Sequence, residues 1–193
     1  VIVLTGPNRG GKTTYLRAVA LNQILFQAGV FVAARDARLS PVDAMLTHFP
    51  PLESTEPGGG RLDDEARRVR NMFEHGTARS LLLFNEPLTS TAEREALALA
   101  TDVVRALRVL GARTIFVTHL HALAEQIAVL NGEGDGATVA SWVAETTDDT
   151  PLYTIRPGTP QARSHARRIA EQHGITFDQL KRKIDDSTSK IEH

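Results

Sequence analysis

Val1-Ile2-Val3-Leu4-Thr5-Gly6-Pro7-Asn8-Arg9-Gly10-Gly11-Lys12-Thr13-Thr14 opens the chain and decides its fold. Four apolar residues predict a buried strand, the glycines free the backbone for a sharp turn, and a helix begins near Lys12. Gly6 to Thr13 has the spelling Gly-x-x-x-x-Gly-Lys-Thr of a Walker A loop, whose N–H groups close around a phosphate. In such a loop Lys12 reaches the β- and γ-oxygens, the Thr13 hydroxyl ligates Mg²⁺, and the helix that follows aims its positive end at the anion. The nucleotide-binding candidates are therefore Gly6, Pro7, Asn8, Arg9, Gly10, Gly11, Lys12, Thr13 and Thr14, with Thr13 also a metal candidate. Their alternative is a glycine turn that holds no ligand.

Downstream, apolar spacing continues the helix from Thr14 to Gln27, with Gly29 placed to end it. Val30 to Ala33 and Ala44 to Phe49 read as short strands, and Pro50 to Gly60 as a proline- and glycine-rich loop. A charged helix runs from Leu62 to His75, with acids first and arginines after, an order that suits the helix dipole. Leu81 to Phe84 is a buried-strand run ending in Asn85-Glu86. Thr91 to Leu110 is an amphipathic helix closed by Gly111, Arg113 to Val117 is a strand ending in Thr118-His119, and His121 to Val129 is a short helix. Thr138 to Ala144 and Leu152 to Ile155 predict an antiparallel hairpin. Helices over Arg163 to Gln172 and Phe177 to Ile184 complete one domain, 1–184, followed by a frayed tail, 185–193. Strands alternating with helices predict an α/β sandwich with a mostly parallel central sheet.

A chain of 193 residues that is 41% hydrophobic and 23% charged can bury one substantial core. Its net charge of −1 provides no overall basic field for nucleic acid. With no cysteine it has no disulfide, thiolate metal site or Cys nucleophile. No run of about 18 apolar residues spans a membrane and no signal peptide opens the chain, so the expected location is cytoplasmic. Beginning inside a strand without methionine, the chain reads as a piece of a longer protein.

A Walker A loop alone does not choose among kinases, GTPases, ATPases and motors. Leu81 to Glu86 has the form of a Walker B strand, in which Glu86 polarises the attacking water and Asn85 stands where an aspartate usually holds the metal. Thr118-His119 suits a γ-phosphate sensor, the imidazole hydrogen-bonding the terminal phosphate. Glu86 as a plain turn carboxylate and His119 as an ordinary strand-end residue are the alternatives; His121 reads as a helix residue. The Asn-Lys-x-Asp motif that reads guanine is absent.

Thr5-Gly6-Pro7-Asn8-Arg9-Gly10-Gly11-Lys12-Thr13-Thr14-Tyr15-Leu16-Arg17 resembles the Walker A segment of the MutS family of DNA mismatch-repair ATPases, within the ABC superfamily. Phe31-Val32-Ala33-Ala34, Thr89-Ser90-Thr91, Thr118-His119-Leu120-His121 and Arg156-Pro157-Gly158 through Ser164-His165-Ala166 resemble further family segments in the same order. The likeness extends from Val1 to about Leu180. It implies an ABC-type P-loop ATPase domain using ATP and Mg²⁺, dimerising with itself or a paralogue through the ATP site, with DNA engaged by upstream domains.

Two departures from the family pattern matter. Walker B reads Asn85-Glu86-Pro87-Leu88 instead of Asp-Glu followed by Gly-Arg-Gly, which implies slower hydrolysis. The signature segment, Ser-Thr-Phe-Met after Gly-Arg in the family, here reads Gly59-Gly60-Arg61-Leu62-Asp63-Asp64-Glu65. Gly60 and Arg61 either approach the partner's γ-phosphate or form a flexible helix entry. Arg167 and Arg168 belong either to a subunit interface or to a solvated basic face. The resemblance is to a divergent, orphan MutS-like ATPase. A nucleotide-gated clamp without turnover is the second reading; an SMC-type or transporter ATPase is the third and weaker one, since this chain lacks the transporter signature Leu-Ser-Gly-Gly-Gln and SMC-type chains are not expected to share the Thr-Gly-Pro-Asn lead.

Overall fold

Leu81–Asn85 is buried at all its positions and lies second from the edge of a six-stranded sheet. Such a strand has no solvent face, which is why its sequence is continuously apolar. The computed structural model describes residues 1–50, 60–147, 150–160 and 171–189. The elements of the sheet region are β1 (Ile2–Thr5), α1 (Lys12–Gln27), β2 (Met45–His48), α2 (Arg61–His75), β3 (Leu81–Asn85), α3 (Glu93–Leu110), β4 (Arg113–Val117), α4 (His121–Glu125), α5 (Ile127–Gly132), β5 (Ala140–Thr147) and β6 (Thr150–Pro157). The sheet order is β2-β3-β4-β1-β5-β6. Every pairing is parallel except β5 with β6. An α/β architecture with a mostly parallel sheet flanked by helices, carrying an antiparallel hairpin, is therefore as the sequence predicts.

Alternation along the strands builds two cores. Val3, Leu82, Phe84 and Phe116 meet Val69 and Met72 of α2, Val104 and Leu107 of α3, Leu123 of α4 and Leu130 of α5. Leu4, Leu81, Leu83, Ile115 and Val117 face the other way and pack with Leu16 of α1. Parallel strands share one carboxyl end, so the segments leaving β1, β3 and β4 emerge on the same edge of the sheet.

The strand predicted over Val30 to Ala33 does not form. Val30 is exposed and Phe31 is 95% exposed, so the apolar run has no sheet surface to cover. The segment instead folds back on the end of α1: the Ala33 N–H donates to Asn22 Oδ1 at 2.7 Å, and Gln23 Nε2 donates to the Ser40 carbonyl at 3.1 Å. The single helix predicted over His121 to Val129 is two, α4 and α5, parted at Gln126.

The chain divides into two compact units, Val1–Pro160 and Gln161–His193, where one domain over 1–184 is the sequence expectation. The second unit contains α6 (Phe177–Ser189), which continues past the predicted end at Ile184. Its first turn is fixed by Thr176, whose hydroxyl donates to Gln179 Oε1 at 2.8 Å. The helix predicted over Arg163 to Gln172 lies mostly outside the described residues, as does most of the Pro50 to Gly60 loop. Among the described residues no helix is long and apolar enough to cross a membrane.

Candidate functional site

The loop between β1 and α1 turns on residues whose backbone conformations are unusual. Gly6 has φ 137°, and a Cβ there would sit 2.9 Å from Ala144 Cβ and 3.0 Å from the Ala144 carbonyl oxygen, so conformation and space both demand glycine. Gly11, at φ 87°, caps α1 in the left-handed region. Arg9 also has positive φ, 66°, which is uncommon for a side-chain-bearing residue and marks a constrained loop. The Gly10 N–H closes the turn by donating to the Pro7 carbonyl at 3.1 Å.

Lys12 lies at the centre of this loop with only 5% of its side chain exposed. Its ammonium donates to the Gly6 carbonyl at 2.8 Å and the Pro7 carbonyl at 3.0 Å, and stands 3.8 Å from Glu86 Oε1. Burial lowers the Lys12 pKa, and the Glu86 charge opposes that shift. Thr13, in the next position on the helix, donates its hydroxyl to Asn85 Oδ1 at 2.9 Å, tying the start of α1 to the end of β3.

Glu86 leaves β3 at φ 50°, its N–H held by the Val117 carbonyl at 2.9 Å. Its second oxygen lies 3.6 Å from His119 Nδ1. The imidazole beside it, and secondarily Lys12, hold the Glu86 carboxyl below its ordinary pKa despite partial burial. Glu86 in turn raises the His119 pKa against the effect of burial. Thr118 fixes the turn carrying His119: its N–H donates to the Leu4 carbonyl, and its hydroxyl accepts from the Leu120 N–H, both at 3.0 Å. His121 is the first residue of α4, as the sequence predicts, and burial lowers its pKa.

These groups border a cavity of about 490 Å³ lined by Asn8 to Thr14, Pro50, Asn85, Glu86, Thr89 and Tyr153. That volume falls within the range of small-molecule and cofactor sites, about 300–1,000 Å³. Gly6 and Pro7 contribute through their carbonyls behind Lys12, and His119 through its contact with Glu86. Gly60 and Arg61 are not in this lining. Arg61 borders a neighbouring cleft of about 120 Å³ with Asp64, Glu65, Arg68, Pro50, Thr89 and Ser90. Gly60 precedes α2 in extended conformation.

Thr89, Pro50 and Tyr153 are site residues that the sequence reading missed. Thr89 is legible in part, since Thr89-Ser90-Thr91 is one of the segments that carry the family resemblance. Tyr153 gave no signal: it reaches the loop only because β5 pairs with β1 and carries β6 with it. A Cβ on Gly11 would lie 3.2 Å from Tyr153 Cδ1, yet Tyr153 itself is 75% exposed, with φ 53°.

Magnesium is the metal that the Walker spelling implies. Mg²⁺ favours oxygen ligands in octahedral geometry, usually one or two carboxylates together with substrate phosphates. Thr13 and Asn85 present two neutral oxygens, Glu86 is engaged by Lys12 and His119, and no cluster of three His, Cys, Asp or Glu suited to a metal occurs among the described residues. The residues therefore fit the metal only as neutral partners, so its anionic ligands would have to come from a bound molecule.

Fold and site together define an α/β protein with a glycine-walled, lysine-centred cavity suited to an anion, at the carboxyl ends of parallel strands. The family model described as MutS domain V matches residues 2–182. A protein named DNA mismatch repair protein MutS from Leptospira interrogans is 39% identical over 127 residues, 65% of this chain and 15% of that protein. Its namesakes from Synechococcus sp. (strain CC9902) and Desulforamulus reducens are 33% and 36% identical over 185 and 181 residues, 94% and 93% of this chain and 20% of each relative. The chain belongs to the MutS family through domain V, and spans a fifth or less of the length of these curated relatives.

Proposed function

We propose that this chain is an ATP-binding and slowly hydrolysing domain of a DNA mismatch-repair or recombination protein, dimerising around the nucleotide. The observation that carries this reading is Lys12: a buried ammonium held on the Gly6 and Pro7 carbonyls at the wall of the cavity, with Glu86 facing it. A triphosphate in the cavity exchanges those carbonyls for phosphate oxygens, and the loop N–H groups and the start of α1 add further donors. Exposed Tyr153, beside Gly11, is placed to offer its ring to a base. When bound, Mg²⁺ neutralises charge on the β- and γ-oxygens, and Thr13 and Asn85 are the residues that would hold it.

Glu86 orients the attacking water and His119 hydrogen-bonds the terminal phosphate. Asn85 supplies no negative charge toward the metal, so turnover is slow. Arg61 and Gly60 lie outside the nucleotide cavity of their own chain, which leaves them available to a second copy or a paralogue across the γ-phosphate. DNA is engaged by regions that the longer relatives possess beyond the matched segment. The neutral Asn85 also favours a second reading, a clamp in which ATP drives association without hydrolysis.

Phosphate release and ATP binding, measured together on the native chain and a Glu86→Gln variant, test the proposal. The expected result is that Glu86→Gln keeps ATP affinity, accumulates as an ATP-dependent dimer in sedimentation, and loses turnover by about a hundredfold. Equal phosphate release from both proteins overturns the role of Glu86. ATP binding without phosphate release from the native chain selects the clamp.

A further inference from the structure

We infer that Arg9 makes nucleotide binding in this cavity largely independent of the metal, by supplying from the loop positive charge that a metal would otherwise bring, at a site where Asn85 places no carboxylate. This rests on the ATP-binding reading above. Its basis is the accounting of charge in the cavity. Among the described residues, Arg9 and Lys12 are the cations of the lining and Glu86 is its carboxylate. Before a ligand enters, Lys12 rests on two carbonyls and faces Glu86, which partly offsets its charge, and Glu86 is shared with His119. At the end of β3, where a metal-holding acid would add negative charge, Asn85 offers a neutral oxygen to Thr13.

Arg9 differs from these groups in having no carboxylate partner among the described residues. It stands at the cavity wall between Asn8 and Gly10, on a backbone with φ 66° that glycine adopts more easily. A guanidinium presents several N–H donors in a planar fork that matches two phosphate oxygens at once, and it stays charged at any working pH. With a cation added by Arg9 and an anion removed at Asn85, the empty cavity repels a bare triphosphate less than an acid-bearing site does. The metal then serves turnover more than capture.

The test is equilibrium ATP binding by the full 193-residue chain, in Mg²⁺ and in excess EDTA, for the native protein and for Arg9→Gln, Arg9→Lys and Asn85→Asp. The native Kd is expected to rise less than about threefold in EDTA, whereas Arg9→Gln and Asn85→Asp each raise the EDTA-to-Mg²⁺ ratio above about tenfold, the loss of a charged contact. Arg9→Lys, which keeps the charge, is expected to stay nearer the native ratio. A native ratio above about tenfold overturns the inference, as does an Arg9→Gln ratio equal to the native one. Absence of saturable ATP binding in both conditions overturns the ATP-binding reading itself and this inference with it. Saturable binding that needs Mg²⁺ overturns this inference alone.

Discussion

The Thr13 hydroxyl donates to Asn85 Oδ1 at 2.9 Å, joining the first turn of α1 to the last residue of β3. Asparagine does here what aspartate would do for the threonine, and withholds the charge that aspartate would offer a metal.

Asn85→Asp should therefore restore an anionic ligand without disturbing the contact with Thr13. Phosphate release in saturating Mg²⁺ is expected to rise about tenfold. Unchanged turnover in an Asn85→Asp protein that still binds ATP contradicts the view that residue 85 limits the rate.

The Glu86–His119 pair gives the site a definite pH window. Because its pKa is raised, His119 contributes its pairing fully below its ordinary value of 6.5, and the contribution fades as pH rises through the folded value. Because its pKa is lowered, Glu86 contributes above its ordinary 4.5 and fades as pH falls through its folded value. Proton NMR titration should place His119 above 6.5, and Glu86→Gln should bring it down, since burial and the Lys12 charge, both lowering, are then opposed mainly by Glu93. A His119 midpoint that ignores Glu86→Gln rules out the pairing.

Arg108 is a structural cation, 5% exposed, that donates to the carbonyls of Leu130, Glu133 and Ala137, the latter two at 2.9 and 3.1 Å. It anchors the end of α5 and the approach to β5, the strand that brings Tyr153's hairpin beside the loop. Arg108→Ala leaves these carbonyls without their donor and should cost about 3 kcal/mol. Thermal unfolding should shift down by roughly 6–12 °C for a chain of this size. A shift of under about 2 °C would show that water replaces the guanidinium without loss.

His48, at the end of β2, is 1% exposed and lies against Phe84, with ring centroids 6.3 Å apart. Neither ring nitrogen has a partner among the described residues, and burial lowers its pKa below the ordinary 6.5. Below pH 6.5 the unfolded chain takes up a proton that the folded chain resists, so stability falls as pH drops toward the folded value. His48→Leu should flatten the melting temperature between about pH 7 and 5.5 relative to the native chain. Parallel profiles would locate the acid sensitivity elsewhere.

How much of this was legible in the sequence depended on how local the signal was. Val1 to Lys12 and Leu81 to Glu86 carry their structure within themselves, since buried parallel strands are continuously apolar and the glycine loop is spelled out. Val30 to Ala33 has the same apolar look, but a strand also needs a neighbour to pair with, and the segment packs back on α1 instead. Tyr153 joined the site through the pairing of β1 with β5, a contact between segments 137 or more residues apart that no local pattern encodes. The Glu86–His119 contact was legible as two strand ends; its closeness came from β3 and β4 being neighbours.

The central claim, that the cavity around Lys12 holds ATP, is tested most directly by isothermal titration of the native chain and Lys12→Ala with ATP. Saturable binding by the native chain, weakened at least about tenfold in a Lys12→Ala protein of unchanged circular dichroism, is the predicted result. Equal affinity in the two proteins, or no binding to the native chain, would contradict it.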